Sequence, residues 1–225
     1  MCRLFKFVIF DCDGTLVDSQ HSIVAAMHKA YAAHGLEAPA RTQLLSIVGL
    51  SLHEAFHVLG DGQSDYPIES LVAGYKAAFF ALRKSGTHCD PLFPGARDVI
   101  AALSRRSDVL LGIATGKSRR GLEAVLNLHG LRDQFHIIKT ADDAPSKPHP
   151  AMVIDAMNEA GVTSGDTTVV GDTVFDMKMA RDAGALGIGV AWGYHQPSAL
   201  LQAGAAMVLD DFPSLMPALD QIWHR

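Results

Sequence analysis

The sequence predicts an α/β protein, a doubly wound parallel sheet with an inserted helical domain. Short apolar, β-rich runs at 5–10, 109–114, 135–139, 167–170 and 186–191 alternate with helical patterns at 95–106, 118–129, 150–160, 176–183 and 197–203. Several of the strand runs are apolar throughout, as expected when a parallel sheet is covered on both faces. This regular alternation of strands and helices predicts right-handed crossovers and a Rossmann-like core.

The first crossover of this sheet is unusually long. A βα crossover needs about a dozen residues, yet residues 19–88 lie between the first two strand runs and show helical patterning only. Three glycines are expected to end helices there: Gly35, Gly60 and Gly86. We therefore predict an all-helical cap domain over 18–89, and an α/β core domain built from 1–17 and 90–225.

Composition narrows the possible partners. A formal net charge of -5 argues against nucleic acid or an anionic membrane as the main partner. No apolar run approaches the roughly 20 residues of a membrane span, and "MCRLFKFVIF" lacks the features of a signal peptide. Cys2, Cys12 and Cys89 form no C-x-x-C pair, which favours a reducing compartment. We expect a cytoplasmic monomer or homodimer.

Polar clusters follow four of the predicted core elements. They are "DCDGT" at 11–15, "TGKS" at 115–118, "SKPHP" at 146–150 and "GDTVFD" at 171–176. Ligands of open α/β sheets bind outside the carboxyl ends of the strands. The sequence therefore predicts that six side chains converge there: Asp11, Asp13, Thr115, Lys147, Asp172 and Asp176.

This set of residue types suits phosphate chemistry. Clustered carboxylates favour a hard cation, and Mg²⁺ is the expected cofactor. A lysine and a hydroxyl beside the cation suit an anionic, phosphate-like group. One carboxylate can attack phosphorus to give an aspartyl-phosphate, and a second carboxyl two residues on can protonate the leaving oxygen and later deprotonate water. The pair Asp11 and Asp13 has this spacing.

The motifs "DCDGTLVDS", "ATGKS", "SKPHP" and "VVGDTVFDMKMARDAGA" resemble, in order, the four signature motifs of the haloacid dehalogenase-like superfamily. The similarity covers essentially the whole chain and is to the phosphoglycolate-phosphatase-like branch, which carries a helical cap. The resemblance implies that Asp11 is the nucleophile and a metal ligand. It implies that Asp13 is the acid/base and offers its backbone carbonyl to the metal, and that Lys147 orders the nucleophile.

The same resemblance assigns the phosphate and metal ligands. Thr115 and the backbone N–H of Gly116 are expected to bind phosphate. Asp172 is expected to bind Mg²⁺ directly, and Asp176 to support the metal through water. In the cap, "SIVGLSLHEAF" at 46–56 is similar to the stretch that shapes the substrate pocket, and Gly49 would allow that stretch to approach the active site closely.

The expected function is a phosphatase for a small phosphorylated metabolite, with phosphoglycolate as the first candidate. A pyrophosphatase and a sugar-phosphate phosphatase or mutase of the same superfamily remain alternatives. Dehalogenases of the superfamily lack the second acid, so Asp13 argues against carbon–halogen cleavage. Mutases resembling β-phosphoglucomutase carry a cap histidine where this chain has Ile23, which weakens the mutase alternative.

Two alternatives belong to other classes of protein. The first is a zinc metalloprotease, because "HEAFH" matches the H-E-x-x-H motif, in which His53 and His57 would hold zinc and Glu54 would act as base. The third histidine of the longer motif is replaced by Gln63, a poor zinc ligand, so an amphipathic cap helix is favoured. A binding protein on an inactive hydrolase scaffold is the other alternative, but no expected catalytic position is substituted.

Overall fold

The computed structural model describes residues 5–85 and 90–224. Cys2, Gly86 and Cys89 lie outside these residues. The described chain contains one parallel sheet in the order β3-β2-β1-β4-β5-β6. Its strands are β1 (Lys6–Phe10), β2 (Val109–Ala114), β3 (Ile137–Lys139), β4 (Thr167–Gly171), β5 (Leu186–Val190) and β6 (Met207–Leu209). The predicted doubly wound fold is confirmed.

Strand β1 lies inside the sheet, and after Lys6 it presents apolar side chains to both faces. Val8 and Phe10 belong to the hydrophobic cluster on one face, whereas Phe7 and Ile9 belong to the cluster on the other face. Alternate residues of a strand point to opposite faces, so an unbroken apolar run is what a strand covered on both sides requires. Cys12 is fully buried in the first cluster.

Helices cover both faces of the sheet. The core helices are α5 (Ala96–Ser104), α6 (Arg119–Leu128), α7 (Ala151–Ala160), α8 (Val174–Asp182), α9 (Pro197–Ala203) and α10 (Leu215–Trp223). Buried residues of α5, α6 and α10 join the first cluster, and buried residues of α7 and α8 join the second. Within the described residues, no helix combines the length and apolarity that crossing a membrane requires.

Four helices fill the long first crossover: α1 (Gln20–Ala32), α2 (Arg41–Ser46), α3 (Leu52–Leu59) and α4 (Ile68–Lys84). They bury a hydrophobic cluster of their own, in which Met27, Tyr31, Leu44, Phe56 and Leu71 are almost fully buried. We call α1–α4 and the segments between them the helical insertion. The helical character expected for this part of the chain is confirmed by these four helices, and Gly60 caps the end of α3.

The two ends of the helical insertion run side by side. The N–H of Asp18 donates to the carbonyl of Pro91 at 2.8 Å, and the N–H of Phe93 donates to the carbonyl of Leu16 at 3.0 Å. The Ser22 hydroxyl donates to the buried Asp90 carboxylate at 2.5 Å. The insertion therefore leaves and re-enters the core at one place.

Three elements differ from the sequence-based expectation. Strand β6 and helix α10 were not predicted, and β3 begins at Ile137 instead of residue 135. β6 has three residues, too few for a periodic pattern. Pro217 made the last helix harder to recognise, yet it lies in the first turn of α10, where proline is tolerated. Phe135 follows a short 3-10 turn at Arg132–Gln134, which delays β3.

Candidate active site

The candidate site begins where two neighbouring strands end. β1 ends at Phe10 and β4 at Gly171, and the two strands pair directly. Chain connections run in opposite directions from this pair, so it is the topological switch point at which doubly wound sheets bind ligands. Asp11 and Asp172 are the next residues on the two strands, and both are buried.

Asp11 has an unusual environment for a carboxylate. Its side chain is 1% exposed, and its Oδ2 has no hydrogen-bond partner within the described residues. The Nζ of Lys147 forms an ion pair with Oδ1 at 2.8 Å. Burial raises the pKa of Asp11 to about 7, the Lys147 charge opposes this shift, and the nearby Asp176 carboxylate adds to it. A buried carboxylate with an unused oxygen is suited to take a further ligand.

Three carboxylates form a compact group at the switch point. Asp11, Asp172 and Asp176 each offer an oxygen within 4.8 Å of the others. Burial, together with the charges of Asp11 and Asp176, raises the pKa of Asp172 well above its usual range. Buried like charges are costly unless paired or coordinated to a metal. Oxygen donors are the ligands that Mg²⁺ prefers, so these residues fit the expected cation.

Each member of the group except Asp11 is held by hydrogen bonds. Asp172 accepts from the Thr15 hydroxyl at 2.8 Å and from the Tyr194 N–H at 2.9 Å. Asp176 accepts from both the N–H and the hydroxyl of Thr173, at 3.0 and 2.6 Å, and so completes the N-terminal capping box of α8. Asp176 therefore also has a structural role as a cap of α8.

Lys147 links the nucleophile candidate to the acidic group. Its side chain is fully buried, and its Nζ lies 2.8 Å from Asp11 and 2.6 Å from Asp176. Burial lowers the pKa of Lys147, but the charges of Asp11 and Asp176 outweigh this effect and raise it overall. The lysine therefore stays charged and fixes both carboxylates.

Asp13 lies beside the acidic group but its carboxylate is bound elsewhere. It accepts a 2.5 Å hydrogen bond from the Ser19 hydroxyl and forms a 2.8 Å ion pair with Lys117. Burial lowers the pKa of Lys117, but the charge of Asp13 outweighs this effect and raises that pKa overall. The hydroxyl of Tyr194 lies 3.2 Å from Ser19. The side chain of Asp13 is outside the three-carboxylate group.

The expected phosphate ligands follow β2. Thr115 is 1% exposed, and its hydroxyl accepts from the N–H of Lys117 at 3.2 Å. A Cβ on the adjacent Gly116 would lie 2.3 Å from the carbonyl oxygen of Gly49 and 2.5 Å from that of Leu50. Glycine at 116 is therefore required by the close approach of the helical insertion.

Gly49 lies directly against the core, as its expected role requires. Its φ of +101° favours glycine. Two hydrogen bonds hold the same segment at its ends: the N–H of Ser51 donates to the Ser146 hydroxyl at 2.8 Å, and His195 Nε2 lies 3.1 Å from the carbonyl of Ser46. Residues 46–51 thus span the site from one side to the other, and we call them the bridging segment.

A cavity of about 650 Å³ lies between the helical insertion and the core. Asp11, Asp13, Thr115, Gly116 and Gly49 are among its lining residues. The structure thus brings most of the expected catalytic and phosphate-binding residues to one cavity. Lys147, Asp172 and Asp176 do not line this cavity but lie next to Asp11.

Sequence reasoning missed several residues that shape the site. Thr15, Ser19, Lys117, Thr173 and Tyr194 contact the expected acidic residues. Lys117 was detectable, because it lies inside the "TGKS" cluster. Tyr194 follows β5 in no recognisable motif, so only the fold reveals it.

The residues of the zinc alternative lie apart from this site. His53 and His57 line a shallow groove between α3 and α4, and His53 Nε2 contacts Glu69 at 3.1 Å. Of the described residues, only the Asp11, Asp172 and Asp176 group brings three potential metal ligands together. The H-E-x-x-H match therefore lacks the third protein ligand of a zinc site.

Known proteins are similar to this chain in sequence and fold. A 33% identical phosphoglycolate phosphatase of Rhodospirillum rubrum covers 93% of this chain, and the match spans 89% of that protein. The "Probable phosphatase IndB" of Dickeya dadantii is 34% identical, with 94% and 92% covered. The crystal structure of a hydrolase from Pseudomonas syringae superposes with a TM-score of 0.82 at 28% identity, covering 97% of this chain and 99% of that one. The family model for haloacid dehalogenase-like hydrolases matches residues 8–190, and the chain belongs to this family.

Proposed function

We propose that the chain is a Mg²⁺-dependent phosphatase that hydrolyses a small phosphate monoester through an aspartyl-phosphate intermediate. One observation carries the proposal: the buried Asp11 carboxylate contacts Lys147 through Oδ1, has no partner for Oδ2 among the described residues, and faces a cavity beside two further carboxylates. A structural carboxylate would be satisfied by donors, as Asp172 and Asp176 are. Relatives named as phosphatases support the same reaction class.

The metal would be held by Asp11, Asp172, the backbone carbonyl of Asp13 and, through water, Asp176. When bound, Mg²⁺ would neutralise the negative charge that gathers where phosphate meets carboxylates. The fixed partners of Asp172, namely Thr15 and Tyr194, would orient that ligand. This second layer of hydrogen bonds is typical of metal sites.

The residues of the chain would divide the reaction into two steps. A carboxylate oxygen of Asp11 attacks phosphorus, the bond from phosphorus to the leaving oxygen breaks, and Asp13 gives that oxygen a proton. Water then attacks phosphorus, Asp13 takes a proton from the water, and the bond from phosphorus to the Asp11 oxygen breaks. Inorganic phosphate leaves, and the Asp11 carboxylate is restored. Thr115 and the N–H of Gly116 would bind the phosphoryl oxygens, and Lys147 would orient Asp11.

The helical insertion would act as the cap. We propose 18–89 as the cap domain over a core of 1–17 and 90–225, because the insertion has its own hydrophobic cluster and closes one side of the cavity. The bridging segment would help to select the substrate. Phosphoglycolate is the first candidate because similar proteins carry that name, and pyrophosphate and small sugar phosphates are the alternatives.

A phosphate-release screen tests this function. The purified chain is assayed with a panel of phosphorylated metabolites in Mg²⁺ and in EDTA. Hydrolysis should require Mg²⁺ and disappear in Asp11→Asn, whose amide cannot attack phosphorus usefully. Asp155→Asn, a matched change on the exposed face of α7, should retain full activity. Activity that persists in Asp11→Asn would refute the assignment of the nucleophile.

A further inference from the structure

The cavity above Asp11 is larger than the smallest candidate substrate needs. Its volume is about 650 Å³, and cavities of roughly 300–1,000 Å³ are typical of sites for drug-sized ligands. Phosphoglycolate carries a two-carbon leaving group, which would leave much of this volume to water. The remaining space therefore calls for a larger leaving group.

The walls of this space are mainly apolar. α1 contributes Ile23 and Met27, and the start of α3 contributes Leu52. α4 contributes Tyr75 and Phe79, whose ring centroids lie 5.6 Å apart with a 32° angle between the ring planes. The two rings are tilted relative to each other, and together they give this wall an aromatic surface against which another ring can pack.

Five cationic residues line the cavity; Lys76 and Lys84 are exposed, and the other three have partners within the protein. Lys117 pairs with Asp13, and Arg83 pairs with Asp90 and donates to the carbonyl of Gly121. The guanidinium of Arg120 lies over the Phe80 ring at 4.9 Å. Away from these cations, a leaving group rich in hydroxyls would meet the apolar walls formed by α1, Leu52 and the Tyr75–Phe79 pair, and buried polar groups without partners are costly. This disfavours a sugar phosphate.

Together these observations identify a substrate class for the proposed phosphatase, on whose activity the inference rests. We propose that the preferred substrate is a phosphate monoester whose leaving group carries an aromatic ring or an apolar body of similar size. The phosphate would lie at Asp11 and Thr115, and the ring between Leu52 and the Tyr75–Phe79 surface. This class ranks above phosphoglycolate in its fit to the cavity.

The test compares three esters with similarly basic alkoxide leaving groups: ethyl phosphate, 2-phenylethyl phosphate and phosphoglycolate. Matching the leaving groups removes intrinsic reactivity as an explanation. Burial of a phenyl group should raise kcat/KM for 2-phenylethyl phosphate about 10- to 100-fold above that of ethyl phosphate, and above that of phosphoglycolate. If phosphoglycolate is the best of the three, or if the two alkyl esters differ less than about 3-fold, the inference is overturned while the phosphatase stands.

A binding measurement separates substrate selection from turnover. Calorimetry should show that 3-phenylpropylphosphonate, which cannot be hydrolysed, binds more tightly than propylphosphonate by a similar factor. Equal affinities would overturn the inference. If no phosphate ester is hydrolysed, the proposed function fails, and the inference about its substrate fails with it.

Wall variants locate the ring. Leu52→Ser should lower the preference for 2-phenylethyl over ethyl phosphate by about 5-fold or more, because it removes apolar surface from the wall. Val58→Ser is a matched control on the same helix, where the side chain is 49% exposed and outside the lining of the cavity. The control should leave the preference unchanged. An equal effect of the two variants would contradict the proposed position of the ring.

Discussion

The buried carboxylate of Asp11 should make the metal-free protein less stable as the pH rises. Its pKa is raised from 3.8 to about 7, mainly by burial. Between these values the folded state binds more protons than the unfolded state, so the free energy of unfolding falls with increasing pH. The stability is fully present below about pH 4 and is lost as the pH passes through 7. Asp11→Asn removes this titration.

The size of the change in the free energy of unfolding follows from the pKa shift of Asp11. A pKa difference of about 3 between unfolded and folded chains corresponds to about 4 kcal/mol. For a chain of this length, that is about 8–16 °C in Tm. Thermal unfolding in EDTA should therefore show wild type and Asp11→Asn with similar Tm near pH 4, and the variant clearly more stable at pH 8.

The variant also serves as the control for other titrating groups. Histidines titrate in the same range, but they are common to both proteins and cancel in the difference. Parallel Tm curves for the two proteins from pH 4 to pH 8 would refute the reasoning, since Asp11 would then have an ordinary pKa in the folded state. Saturating Mg²⁺ should remove most of the wild-type loss at pH 8, because the cation favours the charged carboxylate.

Three further changes test other parts of the site. Asp172→Asn should abolish the stabilisation by Mg²⁺, which at 100 times the Kd amounts to about 3 kcal/mol and is measured as a Tm shift. Asp13→Ala should give a burst of product from an activated aryl ester, and then a steady rate about 10²–10⁴-fold lower in rapid-quench kinetics; equal slowing of both steps would contradict its acid/base role. Gly116→Ala should lower stability by about 1–3 kcal/mol and raise KM, because its Cβ would meet the carbonyl of Gly49 at 2.3 Å; an unchanged Tm and KM would contradict the close approach.

Much of the fold was predictable because its signals are local. The run Phe7–Phe10 must be buried on both faces, and this follows from its composition alone. The same holds for the helical insertion, whose helices carry regular apolar spacing. β6 was not predictable, since three residues with no pattern of their own become a strand only by pairing with β5.

The candidate site was predictable to the extent that its residues directly follow strands. Asp11 and Asp172 lie at the ends of β1 and β4, so the sheet alone brings them together. The partners of Asp13 were not predictable in this way. Ser19 comes from the start of the helical insertion and Lys117 from the loop after β2, and their meeting depends on side-chain packing across segments distant in sequence. The cavity walls likewise depend on how the insertion rests on the core.

The adjacent ends of the helical insertion make the protein modular. Leu16 and Phe93, and likewise Asp18 and Pro91, are joined by backbone hydrogen bonds, so the gap that the insertion closes is only a few ångströms wide. The entropic cost of closing a loop grows slowly with loop length, at about 0.6 kcal/mol for each doubling. The length of the segment that connects these two points therefore has little effect on the stability of the core. A different helical module, or a short turn, can be joined there without rebuilding the sheet. If the helical insertion selects the substrate as proposed, that part of the chain can therefore be exchanged at this one junction while the sheet is kept.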